Sequence, residues 1–460
     1  MNLAYHYPII YWNCACLSVD SSAINSGDFY NLVDEDIIDT DEIEGKKIQN
    51  KMDYSKLASA LDKFKAICKI ELPDINKSRL SFTPDVKNNS ILYGLKGITR
   101  ITEPVINEII MYRPFTSLED FVNKVTKRIV TKDKIINLIK CGAFNRIEKT
   151  NNVEEILKKF IWMICEPKKR LTMQNVNMLI DYNLFPPFLE YNCDVYKLTK
   201  ELRKNRDSNK IWYCGDRLDI PENKIDSWRQ IVADSNIEVK ELIIDNEPRH
   251  AIDSKKWDNF YDIKMNSLKT YIQLNHDELL KKLNQALFDS EYNKYCSGNK
   301  EQWELDSLNF YFTNHPLNNV IPQLIHETQI PVDRVCDIVE GAQDGEFFIK
   351  GKIIPRMKLY TIAGTVIDKN KVKGLVTLQC PDGVVNLKLY KDLFATFVAV
   401  DDEIDQDSFF EKGTHLLVTG IQRGATFVPK VYKNIGRKSI LKINIKDNNF
   451  ISLEEKSNLN

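Results

Sequence analysis

The densest group of acidic side chains lies at residues 34–44, where seven of eleven residues are acidic. Asp34, Glu35 and Asp36 give a DxD spacing there. Metal-dependent phosphoryl transfer needs rigidly held carboxylates, two or three of which converge on Mg²⁺. No apolar strand pattern surrounds this run, so we interpret it as a solvated acidic loop and not as a catalytic centre.

Histidines and cysteines do not form a metal-binding pattern in the sequence either. The six histidines are scattered, and His315 stands before a proline with no ligand partner at a suitable spacing, so we expect it to be structural. The ten cysteines contain no two CxxC pairs. This spacing excludes a zinc ribbon and favours free thiols in a reducing compartment.

Basic residues offer a different chemistry, the binding of phosphate. The chain has 64 Lys and Arg against 65 Asp and Glu, so any basic face must be local. Residues 412–446 contain eight basic residues and no acid, and residues 124–134 contain five basic residues and one acid. Both segments suit phosphate contacts, with ordinary solvated faces as the alternative.

Two short apolar helices are predicted on either side of the 124–134 segment. Pro104 marks the start of the first and Gly142 the end of the second. Their apolar positions have helical spacing: Val105, Ile106, Ile109 and Ile110 in the first, and Ile135, Ile136, Leu138 and Ile139 in the second. Short helices joined by a tight turn can present backbone N–H groups to a phosphate, and a small helical core is the alternative.

From Lys358 onward the apolar spacing changes from that of a helix to the alternation of strands. Five strands are predicted, at residues 359–367, 375–378, 384–390, 414–420 and 425–431, with a helix at 391–397 after the third. This order is that of the OB fold, a five-stranded barrel that binds oligonucleotides.

The sequences of several segments resemble the C-terminal part of the bacterial replicative DNA polymerase III alpha subunit, a family C polymerase. Four sequence motifs support this resemblance and occur in the same order as in the family: Leu72-Pro73-Asp74-Ile75-Asn76-Lys77-Ser78, Tyr93-Gly94-Leu95 with Ile98, Pro114-Phe115-Thr116-Ser117-Leu118-Glu119-Asp120-Phe121, and Leu138-Ile139-Lys140-Cys141-Gly142-Ala143-Phe144. Residues 4–17 and 303–317 resemble two further phrases of the family.

The resemblance implies a multidomain α+β protein. Its N-terminal and central regions would be mostly α-helical and contain a helix-hairpin-helix, and a five-stranded OB-fold β-barrel would follow. The expected domains are 1–70 (the end of a fingers-like region with the acidic insertion), 71–150 (the helix-hairpin-helix domain), 151–340 (a helical domain with an insertion at about 165–265), 345–446 (the OB fold) and 447–460 (a tail).

In the family a Gly-x-Gly sequence joins the two helices of the hairpin, where this chain has Arg100-Ile101-Thr102. Three alternatives follow: the hairpin is rebuilt around Gly97, it contacts DNA through side chains, or it has lost DNA binding. The residues expected to contact duplex DNA are Lys96, Gly97, Arg100, Thr102, Lys127, Arg128 and Lys132. Those expected to contact a single strand are Tyr360, Lys371, Lys373, Arg423, Phe427, Lys430 and Lys433, the aromatic members by stacking on bases.

The function implied is the DNA-binding subunit of a split replicative polymerase, which holds template-primer and single-stranded template. Palm aspartates that hold Mg²⁺ are absent from the sequence pattern, so catalysis and the metal are expected in a separate chain, with no cofactor in this one. The alternative is a free-standing DNA-binding or regulatory protein without catalysis. No apolar run is long enough to cross a bilayer, so we expect a cytoplasmic protein of a bacterium or a phage-infected host.

A sliding clamp is a further expected partner. Family members carry a short peptide with a glutamine before an apolar-aromatic pair, and Gln285, Leu287 and Phe288 form a candidate for it. The alternative is an amphipathic helix, because the leucines of 279–288 also have helical spacing. The peptide interpretation requires Leu287 and Phe288 to be accessible to solvent.

Overall fold

The computed structural model describes residues 8–21, 54–207, 217–220, 225–244, 247–349, 351–370, 372–390, 409–433 and 435–455. The acidic run at 34–44, Lys371 and the predicted helix at 391–397 lie outside these residues. The chain divides into two compact units, one comprising Met1–Lys158 with Cys296–Asn460 and the other Lys159–Tyr295. Within the described residues, no helix is both long and apolar enough to cross a membrane.

The first unit opens with two helices that pack on each other, α1 (Ile9–Asp20) and the amphipathic α2 (Tyr54–Lys65). Leu57, Leu61 and Phe64 lie three or four residues apart on α2 and are buried. This spacing places them on one face of the helix. The polar face of α2 is therefore available to contact other elements of the unit.

The helix-hairpin-helix region follows a small three-stranded sheet. Strands β1 (Lys69–Glu71), β2 (Thr83–Asp85) and β3 (Ser90–Leu92) pair in the order β1-β3-β2. Helices α3 (Glu103–Met111), α4 (Leu118–Lys124), α5 (Lys132–Lys140) and α6 (Asn145–Glu148) come next.

Local signals set the ends of these helices. Pro104 stands in the first turn of α3, and Ser117 caps α4 by accepting the N–H of Asp120 at 3.1 Å. Gly142 follows α5 with a φ of +80°, and the Gly142 and Ala143 N–H groups donate back to the carbonyls of Ile139 and Leu138. This bond pattern is a Schellman motif, so the helix start and stop expected from Pro104 and Gly142 are confirmed.

Helix α7 (Val153–Ile164) contains the boundary to the second unit. That unit combines helices α8 (Val176–Asp181), α9 (Glu190–Asp207), α10 (Ile225–Asp234), α11 (Ser254–Leu274) and α12 (His276–Tyr295) with strands β4 (Arg217–Ile220), β5 (Lys240–Ile244) and β6 (Glu247–Asp253). The strands pair antiparallel in the order β4-β6-β5, a sheet that the sequence did not predict. Trp257 is fully buried at the centre of this core.

The chain returns to the first unit with α13 (Lys300–Leu308) and α14 (Leu317–Thr328). The buried Glu304 carboxylate accepts the N–H groups of Phe312 and Thr313 at 2.8 and 2.9 Å. Because these bonds satisfy a buried charge, they fix the segment between the two helices.

A β-hairpin, β7 (Gln343–Ile349) and β8 (Lys352–Met357), precedes the barrel. The barrel consists of β9 (Tyr360–Asn370), β10 (Leu375–Cys380), β11 (Gly383–Lys388), β12 (His415–Arg423) and β13 (Thr426–Pro429). Strands β9, β10 and β11 pair in sequence, β12 pairs with both β9 and β13, and a parallel pairing of β13 with β11 closes the barrel. The expected five-stranded OB barrel is therefore confirmed.

Two strands extend the sheet beyond the barrel. β14 (Ile440–Lys446) pairs with β12, and β15 (Asn449–Glu454) pairs with β14. The segment 447–460, expected to be a tail, thus contributes a strand. Phe450 on β15 packs with Leu441 of β14 and Leu324 of α14 in a second apolar cluster outside the barrel.

Candidate nucleic-acid interface

The turn before α3 has the backbone conformation that a glycine usually provides. Arg100 has a φ of +64°, in the left-handed region that L-residues other than Asn and Asp rarely adopt. Its side chain is exposed, because the turn lies at the surface. The chain therefore keeps a left-handed residue at the position of the family's first hairpin glycine, although that residue is an arginine.

Hydrogen bonds to α13 and α5 hold this turn. The Thr99 N–H donates to the Ser307 carbonyl at 2.8 Å, and the Thr99 hydroxyl donates to the Asp306 carbonyl at the same distance. Asn137 of α5 donates its side-chain N–H to the Thr99 carbonyl at 3.0 Å. These bonds to α13 and α5 can hold Arg100 in a conformation that costs about 1–2 kcal/mol in an isolated chain.

Gly97 has a packing role and not a turn role. A Cβ atom there would lie 2.7 Å from the ring of Tyr93, whose hydroxyl donates to the Gly97 carbonyl at 3.3 Å. Gly97 is buried and its φ is not positive. The alternative in which the hairpin is rebuilt around Gly97 is therefore wrong, because this residue is buried and lacks the positive φ of the turn.

The other two predicted hairpin residues differ in availability. The Lys96 side chain is 13% exposed and its ammonium lies 3.6 Å from the Glu103 carboxylate, so its charge is partly neutralised. Thr102 is exposed at the N-cap of α3, and its side chain makes no capping hydrogen bond. Arg100 and Thr102 are therefore the predicted hairpin residues best placed to meet a phosphate.

A second exposed basic turn joins α4 to α5. The buried Glu108 of α3 accepts the Thr126 N–H at 2.8 Å and so fixes the start of this turn. Lys127 and Arg128 follow and are exposed, and Lys132 is exposed in the first turn of α5. The turn thus presents two adjacent cations to solvent.

The remaining two bases of the 124–134 segment serve the fold. Lys124 donates to the Pro114 carbonyl and pairs with Asp120, both at 2.9 Å. Lys134 donates to the Ile129 carbonyl at 2.7 Å. Lys124 and Lys134 are therefore structural residues, whereas Lys127 and Arg128 of the same segment are exposed to solvent.

In the barrel, two of the predicted single-strand residues lie in the core. Tyr360 is 3% exposed and Phe427 is fully buried, and both belong to the apolar cluster inside the barrel. The expectation that their rings stack on bases is therefore wrong, because strand alternation turns both rings inward. Lys373, Arg423, Lys430 and Lys433 are exposed, as a phosphate contact requires.

Two further aromatic residues, Tyr432 and Phe347, lie beside these bases. Tyr432 packs edge-to-face on Phe347 of β7 with ring centroids 5.1 Å apart. The Arg356 guanidinium lies 5.6 Å and the Lys430 ammonium 5.2 Å from the centre of the Tyr432 ring. Phe347 and Arg356 were missed because they precede the predicted barrel, although two apolar runs flanking Gly351 are a hairpin signal.

The clamp-binding candidate lies within helix α12. Phe288 is 8% exposed and stacks on Trp162 and Tyr292, and Leu287 is partly buried against the core of the second unit. Gln285 donates to Asp289 one helical turn later, at 2.8 Å. The accessibility that a clamp-binding peptide needs is therefore contradicted for Phe288, and the amphipathic helix explains these residues.

His315 has a structural environment. Its Nε2 lies 2.9 Å from the Gln379 carbonyl and 3.3 Å from the Thr365 hydroxyl, which also bonds to His415 Nδ1 at 2.7 Å. Burial lowers the pKa of His315 to about 3 and that of His415 to about 4. Among the residues that the structure describes, no three His, Cys, Asp or Glu side chains are arranged to hold a metal ion.

Comparison with known proteins agrees with this geometry. A helix-hairpin-helix family model matches residues 68–153. The chain is 32% identical, over 97% of its own length, to the probable DNA polymerase YorL of Bacillus subtilis and to a DNA-directed DNA polymerase of Bacillus phage SPbeta. A shorter match, 38% identical over 19% of the chain and 8% of the relative, is to the DNA polymerase III subunit alpha of Aquifex aeolicus.

The chain covers 33% of each of the two Bacillus relatives, about a third of their length. The shorter matches to alpha subunits, from Aquifex and from Caulobacter, each span less than a fifth of the chain. Together with the helix-hairpin-helix match, they support the resemblance found in the sequence phrases. The chain is therefore homologous to DNA polymerase III alpha subunits and related phage polymerases, and it matches a C-terminal part of them.

Proposed function

We propose that this chain is the DNA-holding part of a split family C replicative polymerase. In this proposal, the hairpin region binds the template-primer duplex and the barrel binds single-stranded template. A separate chain supplies the palm and its Mg²⁺. The similarity to proteins named as DNA polymerases supports a role in DNA synthesis. The residues described above would make the contacts with DNA.

The left-handed Arg100 is the observation that supports this proposal most strongly. Arg100 lies in the turn between a single helical turn, Leu95–Gly97, and α3. Such a turn can present backbone N–H groups to a phosphate and favours a residue with positive φ. Arg100 adopts that φ despite its side chain, held by bonds from α13 and α5. A retained left-handed residue in this turn is what a phosphate-binding hairpin requires.

The basic turn at Lys127 and Arg128 supplies the second contact in this proposal. Both side chains are exposed, and each phosphate that they neutralise would release counterions. The affinity for duplex should therefore fall steeply with salt, and reversal of the two charges should weaken binding and reduce the salt slope.

The test is a fluorescence-anisotropy titration of a labelled primed template with the full chain. We expect Lys127→Glu/Arg128→Glu to weaken binding at least tenfold and to lower the salt slope by about two units. The matched control is Lys169→Glu/Arg170→Glu, which makes the same charge change at two exposed residues of the second unit. Equal binding by the two variants would contradict the duplex role.

A primer-extension assay tests the separate catalytic chain. The chain alone should not extend a primed template with Mg²⁺ and nucleotides, whereas its mixture with a palm-bearing polymerase chain should. DNA binding without stimulation of the palm-bearing chain would instead favour the alternative, a free-standing DNA-binding or regulatory protein. Extension by this chain alone would contradict both.

A further inference from the structure

Helix α2 lies on the outer face of the barrel. The Ser55 and Thr377 hydroxyls are 2.7 Å apart, and Thr377 donates to the Asn386 side-chain carbonyl at 2.8 Å. Two helical turns after Ser55, the Asp62 carboxylate of α2 accepts the Val384 N–H at 3.3 Å. These contacts join the polar face of α2 to β10 and β11, the second and third strands of the barrel.

The outer face of these two strands is the surface that OB folds usually offer to an oligonucleotide. In this chain Thr377 is 2% and Gln379 6% exposed, although both side chains point out of the barrel. Gln379 accepts the Tyr311 N–H at 2.8 Å and donates to the Tyr311 carbonyl at 2.9 Å. The chain's own α2 and the segment after α13 therefore occupy most of this face.

A cleft of about 560 Å³ lies beside the first turn of α2, where the covered face ends. It is bounded by α2, by the β9–β10 connection and by the segment before β12. Four lysines and one described acid, Asp368, line it; the lysines are Lys56, Lys369, Lys373 and Lys412. The sequence pattern could not place Lys56 and Lys412 together, because they are distant in the chain.

Three of these lysines have no ion-pair partner among the residues that the structure describes. No carboxylate of the described residues lies within 4.0 Å of the ammonium of Lys369, Lys373 or Lys412. Lys412 donates instead to the neutral side-chain carbonyl of Asn309. Burial lowers the pKa of Lys412 to about 8, against the opposing effect of Asp306 and Asp368. An anionic ligand would therefore gain from three cations that form no ion pair with a described carboxylate.

We propose that the sugar-phosphate backbone of single-stranded DNA passes through this cleft, with its phosphates on Lys369, Lys373 and Lys412. The cations come from separate elements along the cleft, which suits a run of phosphates. This inference rests on the proposed single-strand role and moves the strand from the outer face of the barrel to the cleft beside α2.

The test compares two double charge reversals in the full chain, titrated with fluorescein-labelled oligo(dT). Lys369→Glu/Lys373→Glu alters the cleft, and Lys430→Glu/Lys433→Glu alters two exposed lysines after β13 by the same charge. We expect the cleft variant to bind at least tenfold more weakly, and to lower the salt slope by about 1.4, since each lost phosphate contact on a single strand contributes about 0.7. An unchanged unfolding temperature shows that both variants are folded.

Three results would overturn the inference. If the cleft variant binds within twofold of the parent while Lys430→Glu/Lys433→Glu binds weakly, the strand follows the other surface and the proposed single-strand role survives. If the parent itself does not bind oligo(dT), that role fails as well. If deoxynucleoside triphosphate displaces oligo(dT) at comparable phosphate concentration, the cleft takes free nucleotides and not a strand.

Discussion

The hairpin turn and the barrel depart from their expected patterns in opposite ways. The turn lost the glycines that such a turn usually needs, yet Arg100 keeps the backbone conformation. The barrel kept aromatic residues at plausible stacking positions, yet Tyr360 and Phe427 are buried. Contacts from neighbouring elements can therefore preserve a backbone geometry without its usual residue, whereas a residue type by itself does not make a binding surface.

The largest expected effect concerns the aromatic residues of the barrel. We expect Phe427→Ala to destabilise the protein by about 3–5 kcal/mol, because the change empties a fully buried site. Phe348→Ala, at a side chain that is 77% exposed, should change stability little. Chemical denaturation measures both. Loss of single-strand binding in Phe427→Ala at unchanged stability would restore the stacking role.

The buried His315 and the partly buried His415 should make the barrel sensitive to acid. Their pKa values are lowered by burial to about 3 for His315 and about 4 for His415, so the unfolded chain takes up protons first as the pH falls. Their contribution to stability is complete above about pH 6.5, the ordinary histidine pKa, and is lost progressively as the pH falls towards 4.

Urea unfolding between pH 7 and pH 4 measures this loss. The parent should lose stability through this range, and replacement of the exposed His326 by Gln should leave the profile unchanged. A profile that stays flat from pH 6.5 to pH 4 would show that the two histidines take up protons as readily in the folded chain as in the unfolded chain, and would contradict their burial.

The smallest expected effect concerns the turn. Arg100→Gly should stabilise the protein by about 1 kcal/mol, because glycine adopts a φ of +64° without strain. Arg100→Ala keeps the Cβ and loses the guanidinium, so it serves as the matched control. If the backbone binds the phosphate, duplex affinity should be higher for the glycine variant than for the alanine variant, and equal losses would assign the contact to the Arg100 side chain.

The sequence by itself determined the helix start at Pro104, the helix end at Gly142 and the five strands of the barrel. Pro104 and Gly142 predicted a helix start and stop, because proline fits the first turn of a helix and glycine adopts positive φ after the last. Alternation after Lys358 predicted the five strands of the barrel, because successive side chains of a strand point to opposite faces. Sequence motifs shared with family C polymerases predicted the hairpin region and the similarity to polymerases.

Only the tertiary structure decided which side chains are available to DNA. Strand alternation does not tell which face is covered, so the inward position of Phe427 and the covered position of Thr377 depend on what packs against each strand. Helical spacing fitted both a clamp peptide and a core helix, and burial of Phe288 favoured the core. Lys56 and Lys412 meet in one cleft because α2 folds back onto the barrel, a contact between distant segments that no local pattern encodes.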